Sequence, residues 1–167
     1  WYFDKCIRGN LKLINDDFKL PKKKEKQYID TFKNYEDFIK ALNVILLKRK
    51  TNLINKQVNI FTTNMDVFID KVLDKLGVEF NDGFSGKFKA EFNTSNYQKS
   101  VYKSSAQYDI NSELPIFNLF KLHGSLTWVK NKDKVFYDSS LKILLELDEI
   151  KFDKDDLIEL TKDIDNV

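Results

Sequence analysis

Apolar positions along the chain alternate between helical spacing and short continuous runs. Tyr35, Phe38, Ile39, Leu42, Ile45 and Leu46 recur every three to four residues, the spacing that puts side chains on one face of a helix. Asn34 offers a cap and Asp37 an acid in the first turn, while Lys48-Arg49-Lys50 places cations at the carbonyl end of the dipole. Val58-Asn59-Ile60-Phe61-Thr62-Thr63 is short, β-branched and mostly apolar, which predicts a central strand of a parallel sheet, buried on both faces. Phe68, Ile69, Val72, Leu73 and Leu76 return to helical spacing and stop at Gly77, where a left-handed exit suits glycine.

Beyond Gly77 the signals are shorter. Asn81-Asp82-Gly83-Phe84-Ser85-Gly86 is turn chemistry, and residues 93–113 are polar with little periodicity, an excursion of loop or partly ordered chain. Ile116 to Leu122 predicts a second strand ending at His123-Gly124-Ser125, and Val135-Phe136-Tyr137 a short third one. Leu141 to Leu147 fits strand or helix, and Asp155 to Ile164 an acidic helix. Lys22-Lys23-Lys24-Glu25-Lys26, after Pro21, reads as a solvated linker or lysine-rich loop, because like charges repel and rarely pack. Strands alternating with helices predict an α/β fold, a parallel sheet with flanking helices. We divide a single domain over residues 1–167 into an N-terminal helical or linker part (1–30), a core and an acidic C-terminal part (141–167).

The 167 residues, 42% of them hydrophobic and 14% aromatic, suffice for one sizeable core. A formal charge of +2 gives no general push toward nucleic acid or an anionic membrane. The last 27 residues carry nine acids and four lysines, so the tail is acidic and the body mildly basic. Cys6 is the only cysteine, which excludes an internal disulfide and a cysteine-built zinc site, and no metal is expected. With neither a long apolar run nor a signal-peptide pattern at Trp1-Tyr2-Phe3-Asp4-Lys5, the expectation is a cytoplasmic protein without a membrane partner. A start at tryptophan rather than methionine leads us to expect an internal piece of a longer polypeptide.

Ligands of open α/β sheets bind beyond the carboxyl ends of the strands, where loops converge and helix N-termini present free N–H groups. Asn64 and Asp66 follow the first predicted strand and His123 the second. Position alone leaves two readings open. Asp66 suits an ordinary helix cap and Asn64 a turn, while the lone His123 suits a hydrogen-bonded structural group as well as a base. No spacing suggests a Ser-His-acid triad.

Three ordered segments carry a family resemblance: Ile60-Phe61-Thr62-Thr63-Asn64-Met65-Asp66, Asp82-Gly83-Phe84-Ser85-Gly86, and Phe120-Lys121-Leu122-His123-Gly124-Ser125-Leu126-Thr127-Trp128. Together they resemble the SIR2-like (sirtuin-like) domains of bacterial NAD-degrading proteins, over roughly residues 35–130. The resemblance implies a Rossmann-like parallel sheet, a partial SIR2-like domain, with NAD as substrate and no zinc. It implies that Asn64 holds the ribose or an attacking water, that Asp66 meets the nicotinamide amide, and that His123 takes a proton from a ribose hydroxyl. Thr62, Thr63, Gly124 and Ser125 would complete the cofactor-binding set.

Departures from the family narrow the activity. Thr63 stands where deacetylase sirtuins carry glutamine, and no Cys-x-x-Cys pairs follow His123, which favours NAD hydrolysis over deacetylation. The Gly-Ala-Gly-x-Ser loop that cradles pyrophosphate is absent, as are the later segments that hold adenosine, so the chain alone is expected to bind NAD weakly or not at all. The resemblance further implies anti-phage defence by NAD depletion, with NAD or ADP-ribose, a second copy or the rest of the parent chain as partners and no nucleic acid. The alternatives are an NAD-dependent protein deacylase and a catalytically silent nucleotide-binding or assembly module.

Overall fold

The computed structural model describes residues 7–14, 18–49, 54–104, 111–142 and 145–146. Helix α1 spans Arg8–Ile14 and α2 Lys22–Lys48; strand β1 (Gln57–Thr62) then leads into α3 (Phe68–Leu76). Eight further strands follow: β2 (Glu79–Asn81), β3 (Phe84–Ser85), β4 (Glu91–Phe92), β5 (Tyr102–Ser104), β6 (Asn111–Glu113), β7 (Ile116–Lys121), β8 (Trp128–Asn131) and β9 (Lys134–Tyr137). The fold is mixed α/β. A parallel sheet in the order β1-β7-β2 stands beside an antiparallel sheet β3-β4-β9-β8 and a β5-β6 hairpin.

The main core lies between the parallel sheet and two helices. Phe117 and Leu119 of β7 pack with Val58, Ile60 and Phe80 of its neighbours against Ile39 and Leu46 of α2 and Ile69, Val72 and Leu73 of α3. Because strand side chains alternate, the same residues leave Phe61, Asn118 and Phe120 on the opposite face. That face is met by the chain after β4. A 3-10 turn at Thr94–Gln98 brings Tyr97 onto Phe120 with ring centroids 4.1 Å apart, and the Gln57 amide donates to the Ser100 hydroxyl at 3.2 Å. The described parts of the expected excursion are therefore a turn packed on the sheet and a largely exposed antiparallel pair, β5 with β6.

The structure corrects several expectations. β7 is the central strand, and β1 pairs with it alone among the described strands. The difference follows composition: five of the six β7 residues are buried, whereas β1 is half-buried and exposes Phe61 at 64%. Lys22 to Lys26 form the first turns of α2 rather than a linker or loop, and Asn34 lies inside that helix. Lysine is a good helix former, Pro21 ends the extended segment before it and its carbonyl accepts the Glu25 N–H at 2.9 Å. Tyr28 and Phe32 extend the apolar stripe toward Phe68, so the lysines ride on a helix that packing has already fixed.

α3 behaves as its pattern predicts, ending at Gly77 with φ +60°. Its start is held from afar: the Val67 N–H donates to Asn10 Oδ1 of α1 at 2.9 Å, and Asn10 is 1% exposed. Trp128–Asn131 forms a strand that the sequence reading leaves out, paired with β9 through Trp128↔Tyr137 and Asn131↔Lys134. Leu145 N–H donates to the Leu141 carbonyl at 3.1 Å, and Lys142, Leu145 and Glu146 are helical. The expected helix over 155–164 and Cys6 lie outside the described residues. Among those described, no helix is long and apolar enough to cross a membrane.

Candidate functional site

The β1–β7 register pairs Gln57 with Ile116 and Thr62 with Lys121, a constant offset of 59 residues. Asn64 and His123 are separated in sequence by the same offset, so the two motif loops leave adjacent parallel strands at the same level. Backbone bonds then join the loops. Leu122 N–H donates to the Thr62 carbonyl at 2.9 Å, and Leu126 N–H to the Met65 carbonyl at 3.0 Å.

Within the first loop the Asn64 N–H donates to Thr62 Oγ1 at 3.0 Å, a local turn that leaves Thr63 and Asn64 exposed. Asp66 is half-buried and accepts the Phe68 N–H through Oδ1 at 3.1 Å, so its carboxylate serves the start of α3 from one residue before the cap, Val67. Tyr35 of α2 reaches this loop. Burial raises its phenol above the ordinary range, the Asp66 charge adds to that, and a hydrogen bond with the Asn64 side chain opposes it. Tyr35 is read in the sequence only as a core position of a helix, yet it is the α2 residue that touches the motif.

In the second loop His123 is exposed, and among the described residues its ring meets no hydrogen-bond partner. Gly124 takes φ +82° and its N–H donates to the Lys121 carbonyl at 3.2 Å, closing a tight turn after β7. Ser125 points inward: its Oγ lies 3.2 Å from Lys121 Nζ and 3.1 Å from Thr127 Oγ1. Six of the seven residues expected at the site thus lie on two joined loops, and Thr62 ends β1 just before the first of them. Asn64 and His123 face solvent, whereas Asp66 and Ser125 are engaged in holding the loops.

The residue that sequence reasoning missed is Lys121. It is 7% exposed, and its Nζ pairs with Asp70 Oδ2 at 2.7 Å, donates to the Asp66 carbonyl and reaches Ser125. The strand pattern signals it, since a lysine on the inward side of a buried strand needs a partner. Asp70, one helical turn from Asp66, supplies the charge. Burial pushes the Asp70 carboxyl above the usual aspartate range, against the downward pull of Lys121.

Beside this pair lies a cavity of about 240 Å³, walled by Asp70, Asp74, Asp82, Phe80, Thr127 and Tyr137 among others. Burial raises Asp82, with the Phe84 N–H pulling the other way and the Asp70 charge adding to the rise. The Tyr137 phenol is pushed up to about 12, first by burial and then by the surrounding aspartates. None of the seven expected site residues lines this cavity, so the exposed tips and the acidic cavity are separate features of the sheet's carboxyl end. Among the described residues no cluster of His, Cys, Asp and Glu is arranged to hold a metal ion.

No protein-family model matches this chain, and no curated protein sequence matches it.

Proposed function

We propose that the chain forms the nicotinamide-ribose half of an NAD site in a Rossmann-like, SIR2-like domain, and that the full-length protein carrying it hydrolyses NAD to nicotinamide and ADP-ribose. The observation that carries this reading is the parallel β1–β7 pairing, whose 59-residue offset sets the Asn64 and His123 loops side by side.

Breaking the nicotinamide–ribose bond builds positive charge on the ribose, as glycoside cleavage does. A site for it needs a positioned water and hydrogen bonds that strengthen as charge develops. Asn64 can orient water or ribose without ionising. His123 can accept a ribose hydroxyl proton, help typically worth about 10² to 10⁴ in rate. Asp66 would receive the nicotinamide amide at its free carboxylate oxygen, since Oδ1 already accepts from Phe68. Thr62, Thr63 and Gly124 shape the loops around them, and Ser125 anchors the turn from within. A cytoplasmic enzyme that depletes NAD in anti-phage defence is the role this reading suggests.

One observation favours a second reading. An acting base is usually oriented by a neighbour, and His123 has no such partner among the described residues. A silent module that binds NAD or ADP-ribose without turnover would need none. The deciding experiment measures nicotinamide and ADP-ribose release by the full-length protein and its His123→Ala and Asn64→Ala variants. Turnover that falls about a hundredfold or more in each variant supports hydrolysis. Nucleotide binding with no turnover under any activating condition gives the silent module.

A further inference from the structure

Lys121 sits at the end of β7 with its side chain on the helix-covered side of the sheet, where Phe117 and Leu119 precede it at alternate positions. A cation there must be fully partnered, because an unpaired buried charge is too costly to keep. Its three partners come from different parts of the chain: the Asp66 carbonyl ends the first motif loop, the Asp70 carboxylate stands on α3, and the Ser125 hydroxyl belongs to the second loop. Thr127 Oγ1 closes the arrangement on Ser125 at 3.1 Å. Charge balance alone would need only Asp70, and the two remaining ammonium donors need partners of their own. The carbonyl and the hydroxyl add nothing to charge balance, but they bind the cation to both loops at once.

We infer that Lys121 is a positioning residue, a buried clamp that fixes the Asn64 loop against the His123 loop. This rests on the reading of those loops as one NAD site, although the clamp itself is a property of the fold. Lys121 touches neither exposed tip and takes no proton. It acts through Asp66 and Ser125, while the Leu126 N–H bond to the Met65 carbonyl marks whether the loops remain joined. A ligand spanning Asn64 and His123 then meets groups already in place, and little of its binding energy goes into ordering them.

The test separates clamping from bulk stability. Lys121→Met alone strands the Asp70 carboxylate and lowers the melting temperature; the double variant Lys121→Met with Asp70→Asn removes both charges and recovers most of that loss, since neutral replacement of a buried pair is often well tolerated. Two readouts follow on the double variant. Hydrogen exchange at the Leu126 amide should accelerate about tenfold or more while the β7 ladder amides keep their protection. In the full-length protein, kcat for NAD should fall about tenfold or more with a smaller change in KM. Unchanged Leu126 exchange in a folded double variant overturns the clamp, as does full kcat. If the double variant does not fold, Ser125→Ala, which removes one arm without stranding a charge, is judged by the same exchange readout. A wild-type protein that never hydrolyses NAD defeats the proposed function, and Leu126 exchange still decides the clamp.

Discussion

The Leu126 N–H donates to the Met65 carbonyl at 3.0 Å, tying the motif segment that carries His123 to the one that carries Asn64. This bond, the Leu122 bond to Thr62 and the Lys121 contacts hold the loops through groups other than the exposed side chains of Asn64 and His123. His123→Ala should therefore leave stability nearly unchanged, within about 0.5 kcal/mol, and Asn64→Ala should cost no more than about 1.5 kcal/mol, the worth of its hydrogen bond with Tyr35. Denaturant melts of each variant check this. A loss above about 2 kcal/mol would mean that the tips carry structure, and any loss of activity could no longer be read as chemistry.

The parts readable from the sequence are those in which a local pattern and its tertiary partner agree. Phe68 to Leu76 is amphipathic at helical spacing and its apolar stripe is the one the sheet buries, so helix and stop at Gly77 both follow from the residues. Val58 to Thr62 reads as a strand for the same reason, but its rank in the sheet depends on β7, which lies 54 residues beyond its end and outcompetes it in apolar content. Lys22 to Lys26 mislead because charge density dominates a short window, while the packing of Tyr28 and Phe32 that makes them helical comes from the following turns. At the site, the motif residues were visible and their support was not. Asn10 beneath Val67 and Asp70 beside Lys121 are ordinary residues until the fold brings them into contact.

Gly83 and Gly77 both adopt positive φ, +89° and +60°, yet substitution should separate them clearly. A Cβ at Gly77 meets open space, so Gly77→Ala pays only for the left-handed backbone, about 1–2 kcal/mol. At Gly83 the added carbon would stand 2.4 Å from Phe92 Cε2 and 2.9 Å from the Tyr97 hydroxyl. The Phe92 ring cannot yield easily, since it packs on Phe84 and Trp128 with centroids 5.4 and 5.0 Å away. Gly83→Ala should cost about 2–5 kcal/mol, combining backbone strain with overpacking. Equal melting temperatures for the two variants would contradict the close approach of this turn to the aromatic cluster.

The acidic cavity should make itself felt in the pH dependence of stability. Asp82 is raised in the folded state chiefly by burial. A carboxyl raised on folding contributes stability that is fully present below its unfolded value, ordinarily 3.8, and is lost as pH rises through the folded value. Asp82→Asn mimics the protonated side chain and keeps an oxygen for the Phe84 N–H, now accepted at 3.0 Å. The variant should be more stable than the parent at neutral pH and should lose that advantage in acid. Glu36 runs the other way. Lowered to about 2 by hydrogen bonds to Lys40 and Lys75, it supports the fold above its ordinary 4.5 and ceases to do so as pH falls toward 2. Thermal melts of parent, Asp82→Asn and Glu36→Gln across about pH 2 to 8 read both signs, and an Asp82→Asn variant less stable than the parent at neutral pH would refute the burial account of Asp82.

Asn118 poses a comparable question inside the sheet. It is 2% exposed in the central strand, its Nδ2 donates to Asn59 Oδ1 at 2.9 Å, and its own Oδ1 is buried without a hydrogen-bond partner among the described residues. One bond is made and one acceptor is left wanting, and these contributions are of similar size: a typical hydrogen bond adds about 0.5–1.5 kcal/mol net, and an unsatisfied buried group costs about 1–3 kcal/mol. Asn59 is exposed, so losing its partner returns it to water rather than stranding it. Asn118→Val, β-branched and suited to a strand, should therefore leave stability unchanged or raise it. Asn118→Asp instead places a charge beside the same wall and should cost about 2 kcal/mol or more at neutral pH, easing as the carboxyl protonates in acid. If valine proves as damaging as aspartate, the Asn118–Asn59 bond is worth far more than an ordinary one, and the pair has to be counted among the interactions that hold β1 on β7.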